Sequence, residues 1–160
     1  MEQKTKIHAE EGRLDLTITR EFELPVDLLF KAHVDPEIVA QWMGTKVLKL
    51  EARKHGSWQF QTSDAKGNVV FKANGTIHEL VLNQKITRTF EMENAPFDVQ
   101  LEFLEFEALT NDTCMLKMHV IYRSVELRDQ MLKLPFAYGI NMAHARLQEV
   151  VEKLRNTVHL

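Results

Sequence analysis

The sequence predicts an α+β domain: a curved antiparallel β-sheet wrapped around one long C-terminal α-helix, with two short N-terminal helices. Three observations predict it. From Val47 to Tyr122, runs of alternating apolar and polar residues recur at hairpin spacing; period two marks strands with one buried face. After Pro135 a single long segment carries apolar residues at helical spacing. Near the N-terminus, Asp35-Pro36 joins two short helical stretches.

Residues 1–12 read as a frayed lead-in. Leu14, Leu16, Ile18 and Phe22 alternate with Asp15, Thr17, Thr19 and Glu21 to give the first strand. Arg20 falls on its apolar parity. Pro25 ends the strand and suits a first helical turn, and residues 26–34 place Leu29, Phe30 and Val34 on one side. Asp35 is an N-cap and Pro36 a first helical residue. The second helix runs to about Trp42 and stops at Gly44. The pair has the shape of a DNA-reading helix-turn-helix, but Glu37-Ile38-Val39-Ala40-Gln41 lacks the basic reading face.

Strands then follow over Val47 to Ala52, around Trp58 and Phe60, and over Val69, Phe71, Ala73, Gly75 and Ile77, with a loop at 64–68 between the last two. Leu82-Asn83-Gln84 reverses the chain. Ile86, Phe90 and Met92 share the next inner face, with Arg88 among them. Asn94-Ala95-Pro96 breaks that strand. Val99, Leu101 and Phe103 continue, and the shift of parity to Leu104 and Phe106 predicts a β-bulge. Cys114, Leu116, Met118, Val120 and Tyr122 form the last strand. Six or seven strands are expected. Ser124 caps a further helix, and Pro135 kinks or restarts it. Phe136, Ile140, Ala143, Leu147, Val150, Val151 and Leu154 share one face of the final helix. Tyr138, Asn141, Gln148, Glu149 and Glu152 are expected opposite.

An apolar sheet face has to be covered, and the final helix is the one long amphipathic element available. The sheet must therefore curve around it, bending at Gly75 and near Phe103. A curved sheet around a straight cylinder closes poorly at its ends, and the space left over is a concave apolar pocket.

The chain has 160 residues, which fits one domain over 1–160 with a core at about 13–156. Its formal charge of −3 and scattered basic residues give no reason to expect nucleic acid as a partner. No run approaches the ~18 apolar residues of a membrane span. One cysteine, Cys114, and a polar N-terminus predict a soluble, cytoplasmic protein. No histidines stand at metal-ligand spacing, no serine has a nucleophile-elbow context, and no metal or cofactor is implied.

Among titratable groups, His33 either faces the cavity as an acid/base or faces solvent near its helix end. His144 either packs at the sheet edge or touches a ligand. Arg20 and Arg88 either emerge at strand ends or meet a carboxylate inside, with Glu105, Glu107 or a ligand anion as the partner. Met43 and Met142 are expected to be exposed and available to a homodimer.

Several motifs point to a family. Arg20-Glu21-Phe22-Glu23-Leu24-Pro25 with Leu29-Phe30-Lys31-Ala32 resembles the opening of the START-like (SRPBCC) superfamily, whose fold is the helix-grip. Asp35-Pro36-Glu37 with Gln41-Trp42 resembles its branch related to the activator of heat-shock protein 90 ATPase. Arg53 to Trp58, the 75–80 segment, the 111–116 segment and Gly139 extend the match. Thr45 after Gly44, and Lys54-His55-Gly56, depart from the pattern at what should be the cavity mouth.

The resemblance implies a cavity for a small hydrophobic or amphipathic ligand, lipid among them. The residues expected at the ligand are Phe30, His33, Trp42, Trp58, Phe60, Phe71, Arg88, Phe90, Phe103, Met118, Phe136 and Ile140. The alternatives are a chaperone-interacting stress-response protein working through its surface, and a cyclase or hydrolase using the same cavity. No catalytic residue is assigned.

Overall fold

The computed structural model describes residues 4–158. Strand β1 (Lys6–His8) precedes β2 (Asp15–Phe22), and helices α1 (Val26–Val34) and α2 (Pro36–Met43) follow. Then come β3 (Lys46–Leu50), β4 (Ser57–Ser63), β5 (Val69–Val81), β6 (Lys85–Met92), β7 (Gln100–Ala108) and β8 (Cys114–Ile121). Helices α3 (Val125–Lys133) and α4 (Phe136–Val158) complete the chain. The strands form one eight-stranded sheet in the order β1-β2-β8-β7-β6-β5-β4-β3, and every neighbouring pair is antiparallel. This is the helix-grip architecture.

The core lies between the concave face of the sheet and α4. Leu16 and Ile18 of β2 stand opposite Val120 and Met118 of β8, and all four are buried. Leu147 and Val151 of α4 join the same cluster. Local chemistry sets the helices. Asp35 Oδ1 accepts from the backbone N–H of Glu37 (3.0 Å) and Ile38 (3.3 Å), which satisfies two otherwise unpaired donors of α2. Gly44 ends α2 in the left-handed region at φ 60°. The Trp42 indole N–H donates to Ala32 O at 2.7 Å and locks α2 onto α1. Ser124 Oγ accepts from Leu127 N at 3.1 Å to cap α3.

Gly75 permits a close approach within the sheet. A Cβ there would lie 2.0 Å from Thr89 O and 2.5 Å from the Trp58 indole nitrogen. Register shifts occur in the β3–β4, β4–β5 and β5–β6 pairings. The bulge expected near Phe103 is absent, because β7 runs in continuous register against both β6 and β8. Its inner face is Gln100, Glu102, Leu104 and Phe106, so Leu101 and Phe103 point to the other side. Both faces of β7 carry apolar residues, and period two alone does not say which one is buried.

Other expectations are corrected. The lead-in is not frayed where it is described: β1 pairs with β2 and Thr5 is buried, while residues 1–3 lie outside the described part. Counting β1, the strands among the described residues number eight rather than six or seven. Of the two alternatives at Pro135, kink or restart, the structure shows the restart: α3 ends at Lys133 and α4 begins at Phe136. Asn141 faces the sheet, accepting from Arg20 and from the Thr5 backbone.

Candidate functional site

A cavity of about 230 Å³ opens between the concave sheet face and the helices. Its rim is half-buried and apolar: Met43, Phe90, Met92, Phe136, Ile140 and Ala143. Deeper apolar walls come from Val39 and Trp42 of α2, Phe60 of β4, Met118 of β8 and Met131 of α3. Its polar groups are His33, Arg88, Gln100, Glu102, Tyr122 and His144, all buried except Arg88.

These polar groups are fixed by one another. Arg88 Nε donates to Glu102 Oε1 at 2.8 Å, and Gln100 Nε2 donates to Glu102 Oε2 at 2.8 Å. Both carboxylate oxygens are thus engaged, as a buried charge requires. The Arg88 guanidinium also sits over the Trp58 ring, 5.5 Å from its centroid.

Each imidazole has its Nδ1 engaged. His33 Nδ1 lies 2.9 Å from Leu29 O, so it carries the proton and leaves Nε2 as an acceptor. Thr5 Oγ1 accepts from Arg20 Nη1 at 3.1 Å and lies 3.0 Å from His144 Nδ1. Both rings are neutral. Burial lowers the His33 pKa to about 4 and that of His144 to about 3, with nearby Arg88 and Arg20 pushing the same way. Burial raises the Tyr122 phenol at the cavity wall, and away from the cavity it raises the Cys114 thiol to about 12.

A larger groove of about 490 Å³ runs along the sheet edge between Lys4, Lys6, Glu21 and Glu23. Its lining mixes both charges, and Arg20 is its one buried polar residue.

The chain matches the model of the activator of Hsp90 ATPase homolog 1-like protein family over residues 23–152. It belongs to that family. Among solved structures, a Rhodobacter sphaeroides protein aligns with TM-score 0.81 at 19% identity, covering 93% of this chain and 100% of its own. Protein Ms6760 from Mycobacterium smegmatis aligns with TM-score 0.79 at 18% identity, covering 91% and 95% respectively. An Arthrobacter aurescens protein gives TM-score 0.81 at 16% identity, covering 92% and 91%. At these identities the likeness establishes the fold alone. No curated protein matches this chain.

In this member of the activator of Hsp90 ATPase homolog 1-like family, His33, Trp42, Phe60, Arg88, Phe90, Met118, Phe136 and Ile140 line the cavity as the sequence suggests. Four other expected residues do not. Phe30 is buried against Phe106, with ring centroids 5.1 Å apart. Trp58 lies beneath the lining, packed on Phe60 and Phe90. Phe71 sits over a shallow hollow near Met92 and Ala95. Phe103 stacks on His119, on the opposite side of β7 from Glu102 and Leu104.

His33 is neither solvent-facing nor a charged cap; it is buried and neutral. Arg20 and Arg88 do not escape at strand ends. Arg88 finds Glu102 rather than Glu105 or Glu107, and Arg20 finds Thr5 and Asn141 rather than a carboxylate. Met43 is half-buried at the rim, whereas Met142 is exposed. The two departures from the family pattern stand away from the cavity: Thr45 bonds Thr62, and the His55 N–H bonds Ile77 O. The sequence reading missed Gln100, Glu102, Tyr122 and Met131. The alternation of Gln100, Glu102, Leu104 and Phe106 was the available signal.

Proposed function

We propose that the chain binds a small apolar or amphipathic molecule in the interior cavity. One observation carries this reading: an apolar rim leads to a set of buried polar groups that converge on unfilled space. The volume, about 230 Å³, lies slightly below the range of drug-sized sites, so the occupant is compact. The convergent His33, Arg88 and Glu102 also meet the geometric requirement of an acid/base site. No serine, threonine or cysteine lines the cavity, however, and Glu102 has both oxygens occupied. Binding is therefore preferred to catalysis.

Native mass spectrometry of the purified protein, followed by extraction, tests the reading. A co-purified small molecule, or saturable uptake of an environment-sensitive hydrophobic dye, is expected. Failure to bind any member of an apolar and amphipathic panel would overturn it.

A second reading rests on the family description and on Leu134, Tyr138 and Met142, exposed at four-residue spacing where α4 begins. It makes this stretch a surface for a chaperone or for a second copy of the chain. Stimulation of an Hsp90 ATPase, lost on Tyr138→Glu, would support it; no stimulation would remove it. The lone thiol, Cys114, buried and unpaired, supports placing the protein in a reducing, cytoplasmic compartment.

A further inference from the structure

The chain carries a net charge of −3, yet its interior is biased the other way. Three guanidiniums reach in from the sheet and α3: Arg20, Arg88 and Arg128. Arg128 is offset by Asp129 at 3.0 Å, whose side chain is half exposed. Arg20 is held by neutral acceptors only: Thr5 Oγ1, Asn141 O and Asn141 Oδ1. Glu102 is the buried carboxylate among the described residues, and it serves Arg88. Arg88 thus has the one buried carboxylate, and Arg20, at the groove along the sheet edge, has none.

The hydrogen-bond inventory leans the same way. Arg88 spends one N–H on Glu102, and its Nη1 and Nη2 make no hydrogen bond within the described residues. Neither Nη atom is sealed in protein; the buried side-chain atoms without partners are Arg20 Nε and Trp58 Nε1. Arg88 lines the cavity, so its Nη groups border open space. The acceptors on the wall are Nε2 of His33, Oε1 of Gln100, the Tyr122 hydroxyl and the Glu102 carboxylate already paired to Arg88 Nε and Gln100. A guanidinium with both Nη groups free beside open space selects an acceptor-rich, anionic head. The planar fork of a guanidinium matches a carboxylate in shape as well as charge.

We infer that the cavity takes a small monocarboxylic acid, bound head-inward, with its carboxylate on the Nη groups of Arg88 and its apolar body toward Phe136 and Ile140 at the rim. This deepens the reading of the cavity as a ligand site and rests on it.

Matched acids and amides test the inference: octanoate against octanamide, and 4-butylbenzoate against 4-butylbenzamide, titrated calorimetrically at neutral pH. Each acid is expected to bind about tenfold more tightly than its amide, in keeping with the strength of charge-assisted pairs. In the double variant Arg88→Gln/Glu102→Gln, which removes both charges together, that preference should vanish while the amides still bind. In Arg88→Lys, which keeps a cation beside Glu102 but loses the planar fork, the acid preference should fall several-fold; this holds the test if the double variant does not fold. Amides binding as well as acids would overturn the inference and leave the cavity reading standing. So would an acid preference that survives loss of Arg88, or one undiminished in Arg88→Lys. Binding of neither class would overturn the cavity reading along with it.

Discussion

Glu102 is held at both ends, by Arg88 and by Gln100, in a place where water is scarce. The side chains of Arg88 and Glu102 are 17% and 6% exposed, so breaking the pair strands a buried charge. Arg88→Met is expected to destabilise the fold by about 3–5 kcal/mol, and Arg88→Met/Glu102→Met by far less. Urea unfolding of the two variants checks this; equal losses would contradict it. The histidines set the acid limb. With pKa values lowered to about 4 and about 3, His33 and His144 stay neutral in the fold down to pH values where the unfolded chain has already protonated them. The unfolded state therefore binds more protons below about pH 6.5, and stability rises with pH across that window and levels off above it. Urea midpoints should fall as pH drops from about 6.5 to 4, and His33→Asn should make the fall shallower by about one proton's slope. A parallel profile in the variant would show that His33 is not a source of it. Arg20 and Arg88 were legible in the sequence as charged residues on an apolar parity. Their partners were not, because β7 is apolar on both faces and the buried one is decided by pairing.

At the scale of elements, the helices were the most legible part. Asp35, Pro36, Gly44 and Ser124 each solve a local hydrogen-bonding or backbone problem, and the structure uses all four as read. The sheet was legible in its alternation and less so in its irregularities. The register shifts occur among β3, β4, β5 and β6, whereas the parity change at Phe103 reflects a straight strand with two greasy faces. β1 was missed because three residues are too few to show a period. Gly75 was read as a bend point, and what the structure shows there is close packing: the Trp58 indole occupies the space a side chain would need. Gly75→Ala is expected to cost roughly 1–3 kcal/mol, the usual penalty for overpacking, and to blue- or red-shift Trp58 fluorescence. Unchanged stability and emission would mean that the sheet has slack at this point.

For the molecule as a whole, the sequence disclosed the fold and the existence of a covered apolar face. It did not disclose the hollow, since a filled core and a cavity are written in the same residues. The hollow can be closed from the rim. Ala143 lies on α4 beside Ile140, and Ala143→Phe should fill the entrance, abolish ligand uptake and leave the melting temperature within a few degrees of the parent. Retained uptake would place the entrance elsewhere. The edge strand reaches further inward than its length suggests. Thr5, just ahead of β1, takes a hydrogen from Arg20 and engages Nδ1 of His144, and so sets how that ring is presented to a guest. Divergence at the outermost margin of the sheet would thus alter the pocket's chemical taste while every wall residue stayed the same.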